Sequence, residues 1–96
     1  MPADVDPDFY KRADAHIDLS NSQVANVSRG KVSASMLYSV ARFNAWVSAC
    51  GFDSGAEMRD HKAETIAYFV EEYSKMLTEN FDDYAENFER YMKRTG

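Results

Sequence analysis

Apolar residues recur at helical spacing in three stretches of this chain, and the stretches differ in how many apolar faces they present. In the first, Phe9, Ala13, Ile17, Ser20, Val24 and Val27 share one side, while Lys11, Asp14, Asp18 and Ala25 fall on the other. The pattern predicts a helix over about 7–27, with Asp6 as its cap, Pro7 in its first position and Asp8 at the positive end of its dipole. Residues 1–6 precede it and are expected to be flexible.

The second stretch, KVSASMLYSVARFNAWVSAC, predicts a helix over 31–50 that stops at Gly51 after the short link Ser28-Arg29-Gly30. Its apolar residues form two stripes. Val32, Met36, Val40, Phe43 and Val47 make one, and Ala34, Leu37, Ala41 and Ala45 with Tyr38 make the other. A helix of this kind needs neighbours on both sides. Small residues at Ala34, Ala41, Ala45 and Ala49 allow close approach, so this helix is expected to lie in the middle of the domain, largely buried. Arg42, Asn44 and the serines at 33, 35, 39 and 48 argue against a membrane span.

The third stretch opens on a capping box, Ser54 followed three residues later by Glu57, and contains no further Gly or Pro between Gly55 and Gly96. Ala63, Val70, Leu77, Tyr84 and Tyr91 hold one heptad position, flanked by Ile66 and Tyr73 upstream and by Phe81 and Phe88 downstream. The last part contains a repeat, ENFDDY then ENFERY, which reads as one helical seam with Glu79, Asp82, Glu86 and Glu89 on its wet side. A helix over 55–93 would extend roughly 58 Å, against about 30 Å for each of the first two. Poor helix formers at Thr78, Asn80, Asp82 and Asp83 mark 78–82 as the candidate break, with Asn80 able to cap a new helix. The unbroken heptad position favours continuity with a mild bend.

These elements predict one all-α domain over 1–96, a small helical bundle of two shorter helices and one long C-terminal helix that can kink. At 96 residues there is room for one core and none for separate modules. Sixteen acidic against eleven basic residues give a net charge of −5, which disfavours nucleic acid and anionic lipid as partners. The N-terminal MPADVDPDFYKRADAH has neither the basic nor the apolar region of a secretory signal, and a lone Cys50 suits a reducing compartment, so the expected location is cytoplasmic. Cys50 itself is expected to be a small buried residue at a helix end.

Candidate chemistry is sparse. Glu57, His61 and Glu64 lie a helical turn apart and are weak candidates for metal ligands. Di-iron sites in helical bundles need Glu-x-x-His motifs from two helices, and the order here is His61-x-x-Glu64 on a polar face, so helical ion pairing such as Glu57 with His61 is favoured. His16 sits at the edge of the first apolar face with Asp14 on another face, an arrangement that does not make an acid/base pair. The serines lack a nucleophile elbow, and Gly30-Lys31 lacks the upstream glycine of a phosphate loop. No catalytic residue and no cofactor is assigned. Arg42 and Asn44 interrupt the small, apolar second helix. They are read first as register-fixing polar groups with partners on other helices, and second as part of a ligand pocket with Tyr38 and Trp46.

Three segments, ADAHIDLSN (Ala13 to Asn21), GKVSASMLYSVARFNAW (Gly30 to Trp46) and MLTENFDDYAENFERYM (Met76 to Met92), give the chain a resemblance to the family known as domain of unknown function 3144 from Phe9 to Met92. The resemblance implies a small, soluble, bacterial, all-helical protein and carries no activity, cofactor or site residue with it. The favoured expectation is a non-enzymatic, homo-oligomeric interaction module, dimeric through a seam of Leu77, Phe81, Tyr84, Phe88, Tyr91 and Met92 on the long helix. The alternative is a helical protein that binds a small molecule or a metal.

Overall fold

The computed structural model describes residues 6–93, and these form helices and turns with no strand among them. The all-α expectation holds, but the helices are five: α1 (Phe9–Val24), α2 (Arg29–Ala49), α3 (Gly55–Asp60), α4 (Lys62–Glu86) and α5 (Phe88–Met92). The chain divides into two compact units, one carrying α1 to α3 and ending at Asp60, the other beginning at His61 and carrying α4 and α5.

Asp6 organises the start of α1 from two residues before the N-cap. Its carboxylate accepts the Asp8 backbone N–H at 2.9 Å and the Arg12 guanidinium at 2.6 and 3.2 Å, while Asp8, the N-cap, makes no side-chain cap bond. The Arg12 hydrogen bond, with the Asp8 N–H behind it, holds the Asp6 carboxyl below the usual carboxylate range, and Asp6 in turn raises the Arg12 pKa. The expected flexible stretch, apart from Asp6, lies outside the described residues. At the far end the Asn26 and Val27 N–H groups both fold onto the Gln23 carbonyl, at 3.0 and 3.2 Å, so α1 closes before Val27.

α2 begins earlier than its periodicity predicts. Ser28, assigned to a link, is the N-cap, and its hydroxyl accepts the Lys31 N–H at 3.4 Å with Arg29 and Gly30 already inside the first turn. Along the helix, the hydroxyls of Ser35, Ser39 and Ser48 each donate to the carbonyl four residues back, at 2.9, 3.0 and 2.8 Å. These three serines are therefore satisfied within α2 and impose no partner.

α1 packs on α2, and Val32 is the buried apolar residue of that pairing, 4% exposed. Ser20 donates to the Met36 sulfur at 3.3 Å across it, and Phe9, Ala13 and Met36 are half-buried. This corrects the expectation of a buried central helix. Within its unit α2 has one long helix against it, so one of its stripes is covered in part while Leu37, Tyr38, Phe43 and Trp46 stay exposed. Cys50, expected to be buried, is exposed as well.

The capping box at α3 forms with a shift of one residue. Ser54 accepts the Glu57 N–H at 3.1 Å, but the Glu57 carboxylate takes the N–H of Asp53, at 2.7 Å, rather than that of Ser54. The long helix expected over 55–93 is interrupted at His61 and Asn87 and is uninterrupted at 78–82. There Asn80 caps nothing. It lies inside α4 and donates through Nδ2 to the Met76 carbonyl at 2.8 Å, a bond that leaves the helical ladder intact.

Because Val32 is the most deeply covered apolar side chain described, Val32→Ala is expected to destabilise the α1–α2 pairing by about 1.5 kcal/mol, the loss of two buried carbon groups. Leu37→Ala, on an exposed face, is expected to change the urea midpoint little. Equal effects of the two in urea unfolding would contradict this picture.

Candidate functional site

The aromatic seam is an exposed apolar feature of the α4–α5 unit. Leu77, Phe81 and Tyr84 come from α4, Phe88, Tyr91 and Met92 from α5, and all six are exposed, Phe81 at 70%. α4 makes a clean amphipathic helix because Val70, Leu77 and Tyr84 recur every seven residues with carboxylates on the far side.

What shapes the distal seam is the break at Asn87. Its backbone leaves the helical basin, with φ −108° and ψ 28°, and its Nδ2 donates both to the Asp83 carbonyl, at 3.1 Å, and to Asp83 Oδ1, at 2.9 Å. The second Asp83 oxygen accepts the Tyr91 hydroxyl at 2.9 Å. That bond spans eight residues, and across the break the Tyr84 and Tyr91 rings meet with centroids 4.7 Å apart. Arg90 lies over the Tyr91 ring, 5.1 Å from its centroid, and its Nη2 donates to the Tyr91 hydroxyl at 3.4 Å.

Asp83 is thus the hub of this end of the chain, and neither it nor Asn87 stood out from the pattern of the sequence. The available signal was the spacing: Asp83, Asn87 and Tyr91 each lie four residues apart, on one helical face. Asn80 makes the same back-bond to residue i−4 as Asn87, but the residue there is Met76, which offers no carboxylate to hold a following ring.

A second feature lies on α2. Tyr38, Ser39, Arg42, Phe43, Ala45 and Trp46 line a recess of about 630 Å³ along one face of that single helix. The structure therefore brings together three of the four residues picked for a pocket. Asn44 falls on the opposite side of α2, half-buried, where its carbonyl accepts the Ser48 hydroxyl. Phe43 belongs to the recess although its spacing had assigned it to the other stripe, and its ring sits 5.5 Å from that of Trp46. Arg42, expected to pair with a carboxylate of another helix, is exposed and has no ion-pair partner among the described residues.

The polar cluster of Glu57, His61 and Glu64 is drawn into helix-end hydrogen bonding. His61 Nδ1 lies 2.7 Å from Glu64 Oε1, and the Glu57 carboxylate holds the Asp53 N–H. Among the described residues no three His, Cys, Asp or Glu side chains gather as metal ligands would, and no helix is long and apolar enough to cross a membrane.

The family model for a protein of unknown function (DUF3144) matches residues 9–85, ending seven residues short of Met92, where the resemblance drawn from the sequence ended. The match therefore includes α1 to α3 and nearly all of α4 but not Asn87 or α5. A Shewanella sp. protein whose structure was solved by NMR is 35% identical, with 98% of this chain and all of that one covered and a TM-score of 0.77. No curated protein matches the chain.

Asn87→Ala removes both bonds to Asp83 and restores a good helix former at the break. The helix is expected to run on from Glu86 into α5 and the Tyr84–Tyr91 contact to open. The measurement is the set of NMR contacts between the two rings, which should vanish; their survival would mean that Asn87 does not set the ring contact.

Proposed function

We propose that this chain, which belongs to the DUF3144 family, is a non-enzymatic helical module that pairs with a second copy of itself through the seam of Leu77, Phe81, Tyr84, Phe88, Tyr91 and Met92. The observation that carries this reading is the exposure of all six side chains along one α4–α5 face. Monomeric soluble proteins rarely leave a contiguous apolar stripe of this kind uncovered. Fully burying a Phe, Leu or Met side chain contributes roughly 1.5–3 kcal/mol. Two copies bringing four such groups each, with two tyrosine rings beside them, can therefore offset the roughly 4–15 kcal/mol that association costs. The net charge of −5 disfavours nucleic acid and anionic membranes as partners, and a lone cysteine suits a reducing, cytoplasmic compartment.

A small-molecule role has the α2 recess in its favour, with Tyr38, Arg42 and Trp46 together on it. Its shape weakens that reading. Small-molecule sites are concave and bury most of the ligand, while this recess is lined by one helix and open along its length. A surface of that form suits a helix laid across it.

Light scattering at micromolar concentration is expected to give twice the chain mass of 10.9 kDa. Phe81→Glu, which places a charge at the centre of the seam, is expected to weaken the dimer more than tenfold with helical content by circular dichroism unchanged. A wild-type mass of one chain, or a Phe81→Glu dimer as tight as wild type, would contradict the proposal.

A further inference from the structure

On α2 the charge runs against that of the chain. The net charge is −5, yet α2 holds Arg29, Lys31 and Arg42 and no acidic residue. Lys31 and Arg42 are eleven residues apart, close to three full turns, so both lie on the face that carries the recess, about 16 Å from each other along the axis. Arg29 falls on another face. Neither Lys31 nor Arg42 meets a carboxylate within ion-pair distance among the described residues. Tyr38 and Trp46 stand four residues to either side of Arg42, 69% and 61% exposed. Ser35, Ala45 and Ala49 complete the face with small side chains past which a backbone can come close. With α1 in place all of these residues stay exposed.

We propose that this face of α2 docks an amphipathic helix of another protein, one that carries carboxylates about three turns apart beside its apolar stripe. Two bare cations on one face call for opposite charge, and their separation calls for length, since a small carboxylate that meets Arg42 does not reach Lys31. Arg42 accepts a carboxylate in a forked pair, while the Tyr38 and Trp46 rings on either side of it supply the apolar contact. The open length of the recess receives the helix lengthwise. The seam of a second copy does not answer this charge, because Glu79, Asp82, Glu86 and Glu89 lie on the side of the helix away from its rings. The docking is therefore separate from the self-association proposed above and uses residues of α2 alone.

The test is a titration of the full chain with a synthetic helix of about five turns, leucine and alanine on one stripe and two glutamates about three turns apart beside it. The emission of Trp46, the chain's single tryptophan, is expected to move to the blue and calorimetry to give one peptide per chain. Replacing the two glutamates by glutamine is expected to weaken binding at least tenfold, as is Arg42→Glu with circular dichroism unchanged. The same peptide with lysines in place of the glutamates is expected to bind Arg42→Glu more tightly than wild type. Leu37→Ala, on another face of α2, is expected to leave binding as it was. A glutamine peptide that binds as tightly as the acidic one, or no response to the acidic peptide, would overturn the proposal. So would a Trp46 shift produced by phosphatidylglycerol vesicles, or by raising the concentration of the chain alone, where the acidic peptide produces none.

Discussion

A helix with apolar residues on more than one face has to be covered on more than one face, and each unit of this chain has one principal pairing with which to do it. α1 covers part of one α2 stripe and buries Val32; α5 follows α4 across the break at Asn87, where the Tyr91 ring meets that of Tyr84. After those contacts are made, Leu37, Phe43 and Trp46 on α2 and Val70, Leu77 and Phe81 on α4 are still exposed. Several polar side chains of both helices, those of Ser35, Ser39, Ser48 and Asn80, bond carbonyls four residues back in their own helix. What they lack is apolar cover, and that lack is the constraint from which the proposed association follows.

The end of the seam shows how a few polar groups decide where apolar ones go. Asn87 and Tyr91 converge on the two oxygens of Asp83, and the resulting turn shortens α4 at Glu86 while stacking two tyrosines and placing Arg90 over one of them. Each of these bonds is exposed or half-exposed and modest in strength. Together they set the orientation of Phe88 and Met92 relative to Phe81, and so the shape of the surface presented. The family match ends at residue 85, so this turn lies beyond it.

Helical periodicity made most of the fold legible. The spacing of Phe9 to Val24, of Val32 to Val47 and of Ala63 to Tyr84 located α1, α2 and α4, and Ser54 with Glu57 marked the start of α3. Helix ends were harder to read where glycine or weak helix formers misled. Gly30 resembled a linker but sits in the first turn behind Ser28, and the run Thr78 to Asp83 resembled a break but is held within α4. The breaks fall instead at His61 and at Asn87, where the asparagine side chain bonds both the carbonyl and the carboxylate of Asp83, which propensity does not register. Periodicity also shows how many faces a helix needs covered without showing how many neighbours it has, so Arg42 was read as buried and is exposed. Of the candidate pocket, Tyr38, Arg42 and Trp46 came together because they share one helical face, and Asn44 did not because it lies on the opposite one.

Phe81 is 70% exposed in one copy and lies within the seam, which makes its ring a direct reporter of whether a second copy covers that surface. Its NMR signals can be followed as the protein is diluted through the micromolar range. Covering by a second copy predicts ring signals that shift along a single dissociation curve coincident with the fall in mass. Ring signals independent of concentration, while the mass still halves, would contradict the account.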